Sequence, residues 1–194
     1  MDRRGFLLHA LSAAGSALVA SLTPLLASPR AAAALGGTLP SLDLPAPPFE
    51  LDGVLPPGVQ GRLSLSDLGG SWLVLYFYPR DFTGGCTLEA RGFQRDLNRF
   101  AQAGAAVVGI SADDPDSHAS FCSEEGLSFP LLSDPGGTVS RAYGSWIAPF
   151  SQRHTFLIDP DGILRASWLA VRPSGHSQEV LARLQALQST APSP

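Results

Sequence analysis

Apolar and polar positions follow two periods along this chain, and the switches between them lay out its elements. Trp72 to Tyr78 is a short, unbroken apolar and aromatic run, the pattern of a strand covered on both faces. Pro79 ends it, having no N–H for a sheet ladder and a fixed φ. Apolar positions then recur at Phe93, Leu97 and Phe100, which is helical spacing, with Gly104 as the stop. Ala105 to Ser111 is a second buried strand. The two strands and the helix between them predict a βαβ unit, parallel with a right-handed crossover. Asp113-Asp114-Pro115-Asp116 opens a helix over Pro115 to Gly126, with Phe121 and Cys122 near its middle. Leu131-Leu132 predicts a short strand and Val139 to Tyr143 a short helix. Arg153 to Asp159 and Ile163 to Val171 pair across the Asp159-Pro160-Asp161-Gly162 turn. Ser177 to Leu187 closes the chain, with Val180, Leu181, Leu184 and Leu187 on one stripe. The order β-α-β-α-β-β-α predicts the α/β class, a mixed central sheet flanked by helices, over residues 58–190. Residues 35–57, rich in proline and leucine, read as an extended arm, with a short strand at Phe49 to Gly53.

Length and charge narrow this picture. The chain has 194 residues, enough for one domain with a real core. All 13 basic residues are arginine, which excludes lysine Schiff-base chemistry and a Walker-type phosphate loop. No basic cluster recurs after the first thirty residues, so nothing points to nucleic acid. At the start, Asp2-Arg3-Arg4-Gly5-Phe6 resembles a twin-arginine export motif. An apolar run to Leu26 follows, then small residues at Ala31 to Ala34. Residues 1–34 therefore read as a cleaved export signal, delivering the chain to the periplasm or an equivalent lumen with no membrane attachment afterwards. The run is also long enough to serve as an uncleaved anchor.

The chemistry centres on the loop after the first buried strand. Only two cysteines exist, Cys86 and Cys122. Cys86 falls in the first turn of the predicted helix, where unpaired N–H groups and the positive dipole end favour a thiolate. Thr83 stands three residues earlier, placed to aim its hydroxyl at the same space. This pattern fits an activated cysteine nucleophile. The duller readings are an inert buried thiol or a simple disulfide staple between the two cysteines, and a staple needs neither Pro79 nor Thr83 around one end. His118, His154 and His176 have no ligand-like spacing with the cysteines, so no metal and no cofactor is expected.

Pro79, Thr83 and Cys86 fit the Pro-x-x-x-Thr-x-x-Cys signature of peroxiredoxins, and the string from Tyr78 to Glu89 resembles the bacterioferritin-comigratory, or peroxiredoxin Q, subfamily. The similarity extends through Phe129-Pro130-Leu131-Leu132-Ser133-Asp134 and Arg153-His154-Thr155-Phe156-Leu157-Ile158-Asp159. Gly84 stands where that subfamily usually has proline, and Arg91 where many members carry a second cysteine. The resemblance implies a thioredoxin-like fold and a thiol peroxidase. Cys86 is then the peroxidatic nucleophile, Pro79 its shield from water, and Thr83, Gly85 and Arg153 the groups that bind the hydroperoxide. Cys122 is the remaining candidate for the resolving cysteine, matching a minority arrangement with the resolver on the next helix. The resemblance also implies a thioredoxin-like reductant and a monomer. The competing function is an exported thioredoxin-like thiol-disulfide oxidoreductase, a class that usually carries the Cys-x-x-Cys this chain lacks.

Overall fold

The computed structural model describes residues 33–34 and 36–190. The leader expected over residues 1–34 lies outside them, apart from β1 (Ala33–Ala34), which pairs with β2 (Gly37–Thr38).

A seven-stranded mixed sheet forms the centre, in the order β11-β10-β5-β6-β7-β3-β4. Its middle is the expected βαβ unit: β5 (Trp72–Phe77), α1 (Gly84–Gln102) and β6 (Ala105–Ser111), the two strands parallel. Ala103 caps the end of α1, after which Gly104 turns the chain at φ +65° and its carbonyl accepts from Trp72 N–H at the start of β5. After β6 comes α2 (Pro115–Glu125), capped by the Asp114 carboxylate on Ser117 N–H and ended by Gly126 in the left-handed region. β7 (Leu131–Ser133) runs parallel to β6, and α3 (Thr138–Ala142) is the short helix. Two-residue strands β8 (Trp146–Ile147) and β9 (Phe150–Ser151) form a small hairpin. β10 (His154–Ile158) and β11 (Leu164–Trp168) then pair antiparallel, and α4 (His176–Thr190) closes the fold.

The arm expected over residues 35–57 is corrected in its last third. Glu50–Leu55 is a full strand, β3, paired antiparallel with both β4 (Val59–Ser64) and β7. Three glycines hide this hairpin from a periodicity reading, and the close packing needs Gly53 in particular. A Cβ on Gly53 would come within 2.2 Å of the Leu131 carbonyl oxygen. The sheet therefore begins at residue 50 rather than 58.

Alternation along the strands builds two cores. Val74, Tyr76, Val107 and Leu157 face one way and meet Cys86, Ala90 and Phe93 of α1, Phe121 and Cys122 of α2, and Val180, Leu181 and Leu184 of α4. Leu73, Leu75, Phe77, Val108, Ile110 and Phe156 face the other and meet Ala46, Phe49, Val139 and Tyr143. Both faces are covered, which is why the central strands read as unbroken apolar runs.

Candidate active site

The parallel strands β5 and β6 end side by side, so the loops that leave them converge at one rim of the sheet. Tyr78 N–H donates to the Ile110 carbonyl at 3.0 Å, fixing where the first loop departs. On the other side of β5, β10 runs antiparallel with His154 opposite Phe77. Arg153, one residue earlier, is thereby delivered to the same loop. Sequence spacing carries no trace of this, since 67 residues separate Arg153 from Cys86.

Cys86 is the third residue of α1 and is buried. Its Sγ receives a hydrogen bond from Arg153 Nη2 at 3.2 Å. The other arm of the fork, Nη1, donates to Glu89 Oε2 at 2.5 Å. Glu89 sits nearly one turn beyond Cys86 on α1, so a single guanidinium ties sulfur and carboxylate together. Burial pushes Glu89 up to about 7, outweighing the opposing pull of Arg153, and its Oε1 has no hydrogen-bond partner. Gly85 lies directly under the arginine: a Cβ there would stand 3.1 Å from Nη2.

The remaining expected residues are placed as follows. Thr83 is the N-cap of α1, but its hydroxyl donates to the Arg80 carbonyl at 3.1 Å instead of toward the sulfur. Pro79 is half-buried where the loop leaves β5. Cys122 is buried in the same core as Cys86, on α2, and both are free thiols. Burial, followed by the charge of Asp81, pushes the Cys122 thiol up to about 11. His154 is buried without a partner on Nδ1, while His176 shares a 2.8 Å hydrogen bond with Thr155. His118, which spacing left without a role, meets the Asp81 carboxylate at 2.9 Å. Among the described residues no group of three or more His, Cys, Asp or Glu is placed to hold a metal ion.

A cysteine at a helix start, under an arginine set just before a neighbouring strand, defines a thiol-based redox enzyme on a thioredoxin-like sheet. The AhpC/TSA family model matches residues 42–167, and the chain belongs to that family. It is a peroxiredoxin, similar to those called Bcp and Q, and as such a thiol peroxidase. Peroxiredoxin Bcp of Xanthomonas campestris is 40% identical over 154 residues, covering 75% of this chain and 94% of its own. A putative peroxiredoxin of Coxiella burnetii is 42% identical over 138 residues, covering 67% and 91%. Among solved structures, the bacterioferritin comigratory protein of Xanthomonas campestris superposes with a TM-score of 0.65 at 34% identity, covering 78% of this chain and 97% of its own.

These relatives correct the expected location. The match leaves less than a tenth of either bacterial chain uncovered, no room for a leader of the length expected here. The relatives thus give the export reading no support, and the periplasmic or lumenal location is withdrawn.

Proposed function

We propose that Cys86 is the peroxidatic nucleophile and Cys122 its resolving partner, in a cycle completed by a thioredoxin-like dithiol. The observation that carries the first role is the 3.2 Å contact between Arg153 Nη2 and Sγ. Negative charge on the sulfur is met there by a fixed cation and by first-turn N–H groups. The thiolate attacks the terminal oxygen of a hydroperoxide. The O–O bond breaks, the leaving alkoxide or hydroxide takes up a proton, and sulfenic acid remains on Cys86. Arg153, the Gly85 backbone and the Thr83 hydroxyl are assigned to the substrate oxygens, with Thr83 leaving the Arg80 carbonyl to do so. Pro79 keeps water from the sulfur. Organic hydroperoxides as well as hydrogen peroxide are assigned as substrates. The bacterioferritin comigratory protein of Xanthomonas campestris has alkyl peroxide reduction activity, which supports the wider range.

Cys122 supports the second role as the one other cysteine in the chain. Its thiol attacks the sulfenic acid, an S–S bond forms, and the hydroxyl leaves as water with the thiol's proton. Two electrons from an external dithiol restore both cysteines. Because both sulfurs lie in one chain, the working unit is assigned as a monomer. The competing thiol-disulfide oxidoreductase needs a neighbouring pair of cysteines, and here the two sit on different helices.

One equivalent of peroxide followed by mass spectrometry tests the cycle. Wild type is expected to give a Cys86–Cys122 disulfide, and Cys122→Ser a stable sulfenic acid at Cys86. Equal turnover of both proteins with a thioredoxin-type reductant would leave Cys122 without this role.

A further inference from the structure

Two consecutive residues of the loop before Cys86 grip the helix that carries Cys122. The first is Asp81, whose buried carboxylate meets three side chains. Tyr78 Oη donates to Oδ1 at 2.8 Å, while Ser117 Oγ at 2.8 Å and His118 Nδ1 at 2.9 Å face Oδ2. His118 is fully enclosed, with its Nε2 3.2 Å from the Leu132 carbonyl oxygen. The ring therefore spans from the Asp81 carboxylate on its Nδ1 side to the β7 backbone on its Nε2 side, both within hydrogen-bond distance. The second residue is Phe82. It stands at φ +58°, a left-handed conformation that a bulky side chain rarely takes. Its ring packs against Phe121 with centroids 5.1 Å apart and planes at 69°.

The gripped residues are not scattered over α2. His118, Phe121 and Cys122 stand at i, i+3 and i+4, which puts them on one face of the helix. Loop and helix are therefore joined at one hydrogen-bonded point and one aromatic point, both beside Cys122. None of the three residues Asp81, Phe82 and His118 hydrogen-bonds the Cys86 sulfur.

We propose that Asp81, His118 and Phe82 form a lock between the Cys86 loop and α2 that sets the rate of disulfide formation and not the rate of peroxide reduction. They are positioning residues, and the inference rests on the reading of Cys122 as the resolving cysteine. While the lock holds, Cys122 stays in the core as a protonated thiol, held so by burial and by the charge of Asp81. Sulfenic acid at Cys86 then waits. When the lock opens, the loop and α2 come free together, because the same residues anchor both. Cys122 reaches the sulfenate sulfur, the S–S bond forms as the S–O bond breaks, and water leaves. The strained φ at Phe82 favours opening, and its ring contact with Phe121 opposes it.

The test separates the two steps. Rapid-quench trapping of sulfenic acid gives the rate of the peroxide reaction, and mass spectrometry under non-reducing conditions gives the rate of disulfide formation. The variants are Asp81→Asn, His118→Gln and Phe82→Ala. Phe82 is 48% exposed, so its truncation leaves the core filled and guards against loss of folding in the two buried variants. Removing one edge-on aromatic contact is expected to speed disulfide formation up to about tenfold. The peroxide rate should change much less, and over-oxidation of Cys86 at high peroxide should fall. Disulfide formation at the wild-type rate in Phe82→Ala, or equal slowing of both steps, would overturn the lock while leaving the resolving role of Cys122 intact. Absence of a Cys86–Cys122 disulfide in wild type would overturn that role and the lock with it.

Discussion

Arg153 holds two partners with one side chain, Glu89 on Nη1 and Cys86 on Nη2. A lysine in its place keeps the charge but offers a single point instead of a planar fork. Arg153→Lys is therefore expected to lower the second-order rate with hydrogen peroxide by about 10²-fold, the usual scale for losing an aligned donor at a developing oxyanion. Stopped-flow mixing measures it, and a rate within about threefold of wild type would remove the fork from the mechanism. Glu89 gives a second prediction. Its pKa is raised from 4.5 to about 7, so the folded chain keeps a proton that the unfolded chain releases. The stability this confers is complete below pH 4.5 and is lost as pH rises through 7, a change on the order of 3 kcal/mol. In Glu89→Gln this slope should vanish. Urea unfolding of both proteins at pH 5 and pH 8 checks it, and a gap between them that does not change with pH would show that burial is not dominant at this carboxyl.

Among the elements, α1 shows what the substitution of glycine for proline at its start means. Gly84 is the first helical residue, a Cβ there meets nothing within 4 Å, and Thr83 before it is extended at φ −90°, ψ 142°. Proline is favoured at that position, and its demand on the preceding residue is already met. Gly84→Pro is expected to stabilise the protein by about 0.5–1 kcal/mol, read from the denaturant midpoint. A loss of stability would mean that the Gly84 N–H serves a partner the fold needs. This element was legible from the sequence because its signals are local: Pro79, the apolar spacing from Phe93 to Phe100, and Gly104. The β3–β4 hairpin was legible only at its first residues. Gly53 and Gly61 interrupt its pattern because each is pressed against a neighbour, Leu131 in one case and Leu55 in the other. The tiny β8–β9 hairpin left no period to read. For the site the division is similar. Cys86 announces itself through its flanks, and Arg153 became a candidate through resemblance alone, since its address comes from the register of β10 on β5. Asp81 and His118 lie 37 residues apart, and no local pattern links them.

Across the whole molecule, both sulfurs face the same side of the sheet. Cys86 and Cys122 belong to one core, and the opposite core contains no cysteine. Hydrogen exchange after oxidation should therefore quicken in the first turns of α1 and in α2, while amides beneath Leu75, Val108 and Phe156 keep their protection. Uniform loosening of both faces would show that the sheet does not insulate one from the other.

For the proposed Cys86–Cys122 bond, that shared burial would reverse the usual effect of a disulfide. A structural bridge restrains the unfolded chain and hardens the fold, and such bonds resist reduction. The Cys86–Cys122 bond proposed above would draw two buried thiols out of packed positions, each leaving space behind. Oxidised protein is thus expected to melt below the reduced form. The bond should be correspondingly oxidising, about 30 mV higher in reduction potential for each 1.4 kcal/mol of packing given up. On the proposed cycle, part of the energy of the peroxide bond would be held as looser packing in the core until an outside dithiol restores both thiols.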